Sequence, residues 1–218
     1  MTQKVYSRLS YKRIFLSLCM FAGVRGIAEA SNLILKDYTI SYTFAINFIG
    51  WMMVIYDWNL FAIHYNRFKK NPRDGFLFTI IGMVLRALWN YVNQNFLHGF
   101  TLFPDPATIH AYPFALPVFL LAYTYIWAVI IAISFKCTTD HFDIRDKELL
   151  IILSSGFVFG LIYTLLFASW TVTVLVPTYL YSTVQIIILS YLYNQSSSLI
   201  PGILAMGTVT LISILMIL

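Results

Sequence analysis

The sequence predicts an all-α polytopic membrane protein. It reads as a single transmembrane domain over residues 1–218, a bundle of seven transmembrane helices with the N-terminus inside and the C-terminus outside. Three observations predict this. The composition is 60% hydrophobic and only 11% charged, whereas soluble domains carry about 25% charged residues. Seven apolar stretches each approach the roughly 20 residues that cross a hydrocarbon core about 30 Å thick. The basic residues between those stretches fall in alternate loops.

The predicted spans are 14–35, 43–65, 76–97, 113–135, 149–168, 172–193 and 199–218. The first is the least hydrophobic, because Arg25 and Glu29 interrupt it. Its basic, apolar start resembles a secretory leader, but no small-residue cleavage site follows, so it is expected to be retained as a helix. The fifth and sixth spans are separated only by Ala168, Ser169 and Trp170. Phe103-Pro104-Asp105-Pro106 in the long outer loop reads as a turn.

Loop charge tests the count independently. The N-terminal tail has Lys4, Arg8, Lys12 and Arg13. The loop 66–75 has Arg67, Lys69, Lys70 and Arg73. The loop 136–148 has Lys136, Arg145 and Lys147. These alternate segments hold eleven of the fourteen basic residues, and the opposite loops hold only Lys36. Positive residues stay on the cytoplasmic side, which predicts a cytoplasmic N-terminus. The net charge of +5 is explained the same way. It forms no stripe along one face, so membrane lipids rather than nucleic acid are the expected charged partners. The Asn194-Gln195-Ser196 sequon falls on the cytoplasmic side and is expected to be unused.

The informative residues are polar groups inside the spans, since a charge near the bilayer centre costs at least about 2.5–3.5 kcal/mol. Arg25, Glu29 and Asn32 share one face of the first helix. Asn47, Gly50, Val54, Asp57 and Phe61 form a stripe on the second. Arg86, Asn90, Asn93 and Gln94 form the most polar stripe, on the third. Thr178, Ser182 and Gln185 share a face of the sixth. At a rise of 1.5 Å per residue, Asp57 and Arg86 both lie roughly 12–15 Å deep and are expected to pair. Glu29 and Asn90 share a depth on the outer side. The stripes are expected to face inward as one network. It either surrounds a functional cavity or simply holds the helices together.

Other chemistry is weakly signalled. His64, His98, His110 and His141 have no repeated ligand spacing, and no metal or cofactor is expected. Cys19 and Cys137 lack partners at redox or metal spacing and read as inert thiols. No lysine lies in the last three spans, which disfavours a retinal Schiff base. Tyr123, Tyr125, Trp127, Tyr163, Tyr179 and Tyr181 are either core and lipid-facing aromatics or the π-face lining of a cavity.

From residue 43 onward the order of features resembles the integral-membrane terpene cyclases of meroterpenoid and indole-diterpene pathways. The residues that carry the likeness are Gly50-Trp51, the basic loop Arg67 to Arg73, Trp89-Asn90, Tyr181-Ser182 with Gln185, and the polar stretch 194–198. The resemblance implies an enzyme acting on a lipophilic, isoprenoid-like small molecule by acid–base chemistry. It departs at Asn90, where the family carries a proton-donating Glu, and in lacking the family's acid-bearing last span. Glu29 and Asp57 are the carboxylates expected to replace them as catalytic acids. Arg25, Arg86, Trp89, Asn90, Asn93, Gln94, Tyr123, Tyr181 and Gln185 are the expected binding residues. The competing readings are a small transporter or channel using Glu29, Asp57 and Arg86 as a polar path, and a non-catalytic subunit packed against other membrane subunits.

Overall fold

The computed structural model describes residues 10–99, 115–142, 148–167 and 171–217. Every element among them is helical. Lys4, Arg8, the turn at 103–106, His110, Arg145, Lys147 and the boundary at 168–170 lie outside the described residues.

The order is α1 (Tyr11–Leu35), α2 (Tyr38–Tyr56), α3 (Trp58–Lys70), α4 (Pro72–Val92, continued by a π-helical turn, Asn93–Leu97), α5 (Ala115–Phe142), α6 (Glu148–Phe167), α7 (Val172–Ser196) and α8 (Ile200–Ile217). Helix α1 starts where the Ser10 hydroxyl accepts from the Arg13 amide at 3.3 Å, which satisfies one of the donors a helix start leaves open. It stops at Lys36, whose left-handed backbone returns its N–H to the Asn32 carbonyl at 2.9 Å. Pro72 opens α4, where its missing N–H costs nothing.

Five helices are long and apolar enough to cross a membrane: Tyr11–Leu35, Pro72–Leu97, Leu116–Thr138, Glu148–Phe167 and Val172–Ser196. The predicted span 43–65 is not one straight helix. It breaks at Asp57 into α2 and α3, bent by 73°, and counts as a sixth crossing if the pair is taken as one. The predicted last span, 199–218, is the shorter apolar helix Ile200–Met216. The break follows from composition. The apolar run ends at Tyr56, and Asp57, Asn59, His64 and the basic end of α3 follow. The Asp57 side chain does not cap α3. It turns instead to Ser17 on α1.

Helix α5 is the most enclosed, with Tyr123 and the run from Tyr125 to Phe135 all buried. It packs against α2, α6 and α8, while α1 lies on α2, α4 on α8 and α7, and α6 on α7. Small residues allow these approaches, as is usual where no hydrophobic force separates helix from lipid. A Cβ on Gly160 would lie 2.4 Å from Thr183 Oγ1 and 2.9 Å from its backbone, so only glycine lets α6 and α7 meet there.

Candidate functional site

The intramembrane charges do not form one network. They sit in three separate places, and the location of each follows from its helix.

At the end of α1 opposite Ser10, Arg25 Nε lies 3.8 Å from Glu29 Oε1, and Arg25 Nη1 donates to the Leu166 carbonyl at 2.9 Å. A cation is favourable there, because Leu166 lies in the last turn of α6. Glu29 accepts from the Tyr38 hydroxyl at 2.5 Å. The Glu29 side chain is 49% exposed. It therefore does not sit beside Asn90 as their shared depth suggested.

Asp57 is fully buried at the break between α2 and α3. Its Oδ2 accepts from the Ser17 hydroxyl at 3.1 Å, and its carbonyl accepts from the Tyr125 hydroxyl at 2.6 Å. The positive charge acting on it is Arg13, not Arg86. The expected Asp57–Arg86 pair is absent. The depth argument assumed one straight helix through residue 65. The bend instead leaves Asp57 at the end of α2, level with the first turns of α1.

Arg86 lies in the middle of the bundle on α4 and is 1% exposed. Its Nε, Nη1 and Nη2 make no hydrogen bond. The same helical face carries Gly82 and Asn90. Gly82 lets α4 settle onto Leu192 and Ala205. Trp89 Nε1 donates to the Tyr181 carbonyl at 3.0 Å and pins α4 to α7. Tyr181 and Tyr163, 2% and 1% exposed, lie within electrostatic reach of the guanidinium, with Tyr123 beside both. The Tyr181 hydroxyl lies beside the guanidinium without forming a regular hydrogen bond to it. It donates instead to Asn90 Oδ1 at 3.4 Å. Gln185, one turn along α7, is buried with both amide atoms unpartnered, and Asn90 Nδ2 is unpartnered too. Trp127 closes one wall, stacked on Tyr163 at 5.3 Å and edge-on to Tyr123 at 6.5 Å. Beyond Trp127 a narrow apolar crevice runs between α5, α7 and α8, past Thr124, Leu189, Tyr193 and Met206. It has room for about one water.

Of the predicted binding residues, the fold therefore brings together Arg86, Trp89, Asn90, Tyr123, Tyr181 and Gln185. It separates three. Arg25 is spent on Leu166 and Glu29. Asn93 is buried but occupied: its side chain donates to the Gly99 carbonyl at 3.2 Å and accepts from the Gly99 amide at 2.9 Å. Gln94 is exposed, because eight residues at 3.6 per turn put it about 80° round the helix from Arg86, at the edge of the stripe.

Sequence reasoning named Tyr163 only as an aromatic. The tyrosine spacing carries no sign that it faces α4. His64, set aside in the sequence for want of ligand spacing, is fully buried and lies edge-on to Tyr193 at 5.5 Å. Among the described residues no group of three His, Cys, Asp or Glu side chains is placed to hold a metal ion.

Chemically, the Arg86 box is a fixed positive charge buried beside Tyr163 and Tyr181. Bare burial of such an ion costs several kcal/mol. In return, the charge acts strongly on any negative charge brought beside it. It equally disfavours a carbocation at the same spot. Comparison with protein-family models, with curated proteins and with solved structures found no match.

Proposed function

We propose that the chain is a membrane-embedded enzyme that performs acid–base chemistry on a lipophilic, isoprenoid-like substrate inside its helix bundle. The observation that carries this reading is the Arg86 guanidinium, sealed from solvent, walled by tyrosines and unpartnered. An arginine kept only to join helices spends its N–H groups on a neighbouring helix, as Arg25 does on Leu166. A transport path would open to water on one side, whereas Arg86, Asn90, Tyr163, Tyr181 and Gln185 are all buried.

In this reading Arg86 holds negative charge on a substrate oxygen, and Tyr181, hydrogen-bonded to Asn90, is the proton donor beside it. The reaction that suits the box is a double-bond isomerisation, in which the Tyr181 hydroxyl gives its proton to one carbon and the tyrosinate so formed, beside Arg86, takes a proton back from another. Glu29 and Asp57 then serve the scaffold, tying α1 to α2 through Tyr38 and Ser17.

The same proposal takes the bundle as seven crossings with a cytoplasmic N-terminus. The 19 residues of α2 rise about 28 Å, enough to cross alone. Helix α3, with Arg67, Lys69 and Lys70 in its last turn, then lies along the cytoplasmic face. Alternation of the basic loops supports this orientation.

The test is turnover by protein reconstituted in nanodiscs, offered prenyl aldehydes, ketones, epoxides and acids, with products read by mass spectrometry. Arg86→Gln should lower the rate by about 10²–10³-fold, the usual cost of one preorganised donor. Glu29→Gln should stay within severalfold of wild type. An Arg86→Gln protein as active as wild type would overturn the assignment. Loss of activity in Glu29→Gln alone would return the acid to α1.

A further inference from the structure

We propose that the substrate group held at Arg86 is a carboxylate, so that this protein takes a lipophilic monoanionic acid. The inference rests on the Arg86 box being the substrate site and adds what that site selects.

Charge balance is the first argument. Among the described residues the box holds one guanidinium and no acid. Every carboxylate whose side chain is described bonds elsewhere: Glu29 to Tyr38, Asp37 to the Ile40 amide, Asp57 to Ser17, Asp74 to Asn71 and Glu148 to Asn194. In a low-dielectric enclosure, a single positive charge is complemented by a single negative one. A neutral alcohol or aldehyde leaves the guanidinium uncompensated. A prenyl diphosphate brings two or three negative charges. Among the described residues there is no acidic cluster to recruit a divalent metal against them.

Donor geometry is the second. An ionised carboxyl has about four lone-pair positions and accepts the planar guanidinium fork through two parallel hydrogen bonds. Nε and both Nη atoms of Arg86 are unpartnered, so either edge of the fork is open. Asn90 Nδ2 and Gln185 Nε2, also unpartnered, supply the remaining donors. The guanidinium has five N–H groups, so Gln185 Oε1, the open acceptor of the set, can take one that the carboxylate does not use. Two amides and one guanidinium match the acceptor count of one carboxylate and fall short of a diphosphate.

The surroundings set the rest of the molecule. Tyr123, Trp127 and Tyr163 pack on one another beside Arg86, so the immediate surroundings of the carboxyl are aromatic. The chain attached to the carboxyl is therefore hydrocarbon.

The test compares three head groups on one tail. Farnesoic acid, farnesol and farnesyl diphosphate are each titrated into the full-length protein in nanodiscs at neutral pH, with binding read by radioligand displacement. Wild type should bind the acid at least about tenfold more tightly than either comparator, the usual worth of charge-assisted hydrogen bonds. Arg86→Gln should erase that preference, and Arg86→Lys should keep part of it, since lysine supplies the charge without the fork. A thermal melt of each variant confirms that it is folded. If the alcohol or the diphosphate binds best and does so through Arg86, the carboxylate assignment is overturned while the site stands. If the acid binds wild type and Arg86→Gln equally, its location is overturned. If none of the three binds, the substrate-site reading itself fails.

Discussion

The indole nitrogen of Trp89 donates a 3.0 Å hydrogen bond to the main-chain carbonyl of Tyr181. Pro177 lies four residues earlier on α7 and has no N–H to offer, so it is the proline, not Tyr181, whose helix bond is missing. The Tyr181 carbonyl takes the indole as an added partner. One side-chain bond thus fixes how far α4 slides along α7, and with it whether Arg86 faces Tyr181 and Gln185. Trp89→Phe should cost about 1 kcal/mol of stability and reduce turnover by more than the melt alone explains. Equal stability and turnover in Trp89→Phe and wild type would remove this bond from the account.

Arg86 should be a stability defect in the ligand-free protein. A buried charge without a partner is costly, and an apolar replacement of similar length removes that cost. Part of the gain is offset by the volume lost from the side chain. Arg86→Met is expected to be at least about 1 kcal/mol more stable, a rise of about 2–4 °C in Tm for a chain of this size, while losing activity. A melt lowered by several degrees would show that the guanidinium is already satisfied in the membrane.

Close helix approach should be specific to particular glycines. Gly160→Ala forces a Cβ to within 2.4 Å of Thr183 Oγ1 and against its backbone, so a loss of about 1–3 kcal/mol is expected. Gly26→Ala meets nothing within 4 Å and should gain up to about 1 kcal/mol from helix propensity. Chemical denaturation of the two variants side by side in one detergent checks both signs. A Gly160→Ala protein as stable as Gly26→Ala would mean that α6 and α7 are not in contact there.

Orientation is testable by labelling. With Cys19 and Cys137 replaced by serine, Lys36→Cys should react with a membrane-impermeant maleimide added to sealed, right-side-out vesicles. Lys70→Cys should react only after the vesicles are opened. The reverse pattern would invert the bundle, and labelling of both from outside would mean that α2 does not cross.

Much of this protein is written in local pattern. Composition alone requires a lipid-embedded helix bundle, because so little charge cannot keep this much apolar side chain in water. The 3.6-residue period is enough to place Arg86 and Asn90 on one face of α4, and Tyr181 and Gln185 on one face of α7. Period and length could not say which stripes meet. The Asp57–Arg86 pair fails because a polar residue at the end of α2 bends the chain by 73°, and a depth counted in residues holds only for a straight helix. Gln94 falls outside the site because it sits about 80° round the helix from Arg86, at the edge of the stripe. Tyr163 joins the site because Gly160, one turn before it, lets α6 press onto α7. The sequence by itself determined the solvent of this protein and the polar face of each helix, since both depend on residue type and near neighbours. What only the fold shows is that Arg86 is buried near Tyr163 and Tyr181, while Glu29 bonds to Tyr38 and Asp57 to Ser17. That outcome depends on bends and close approaches between residues far apart in the chain.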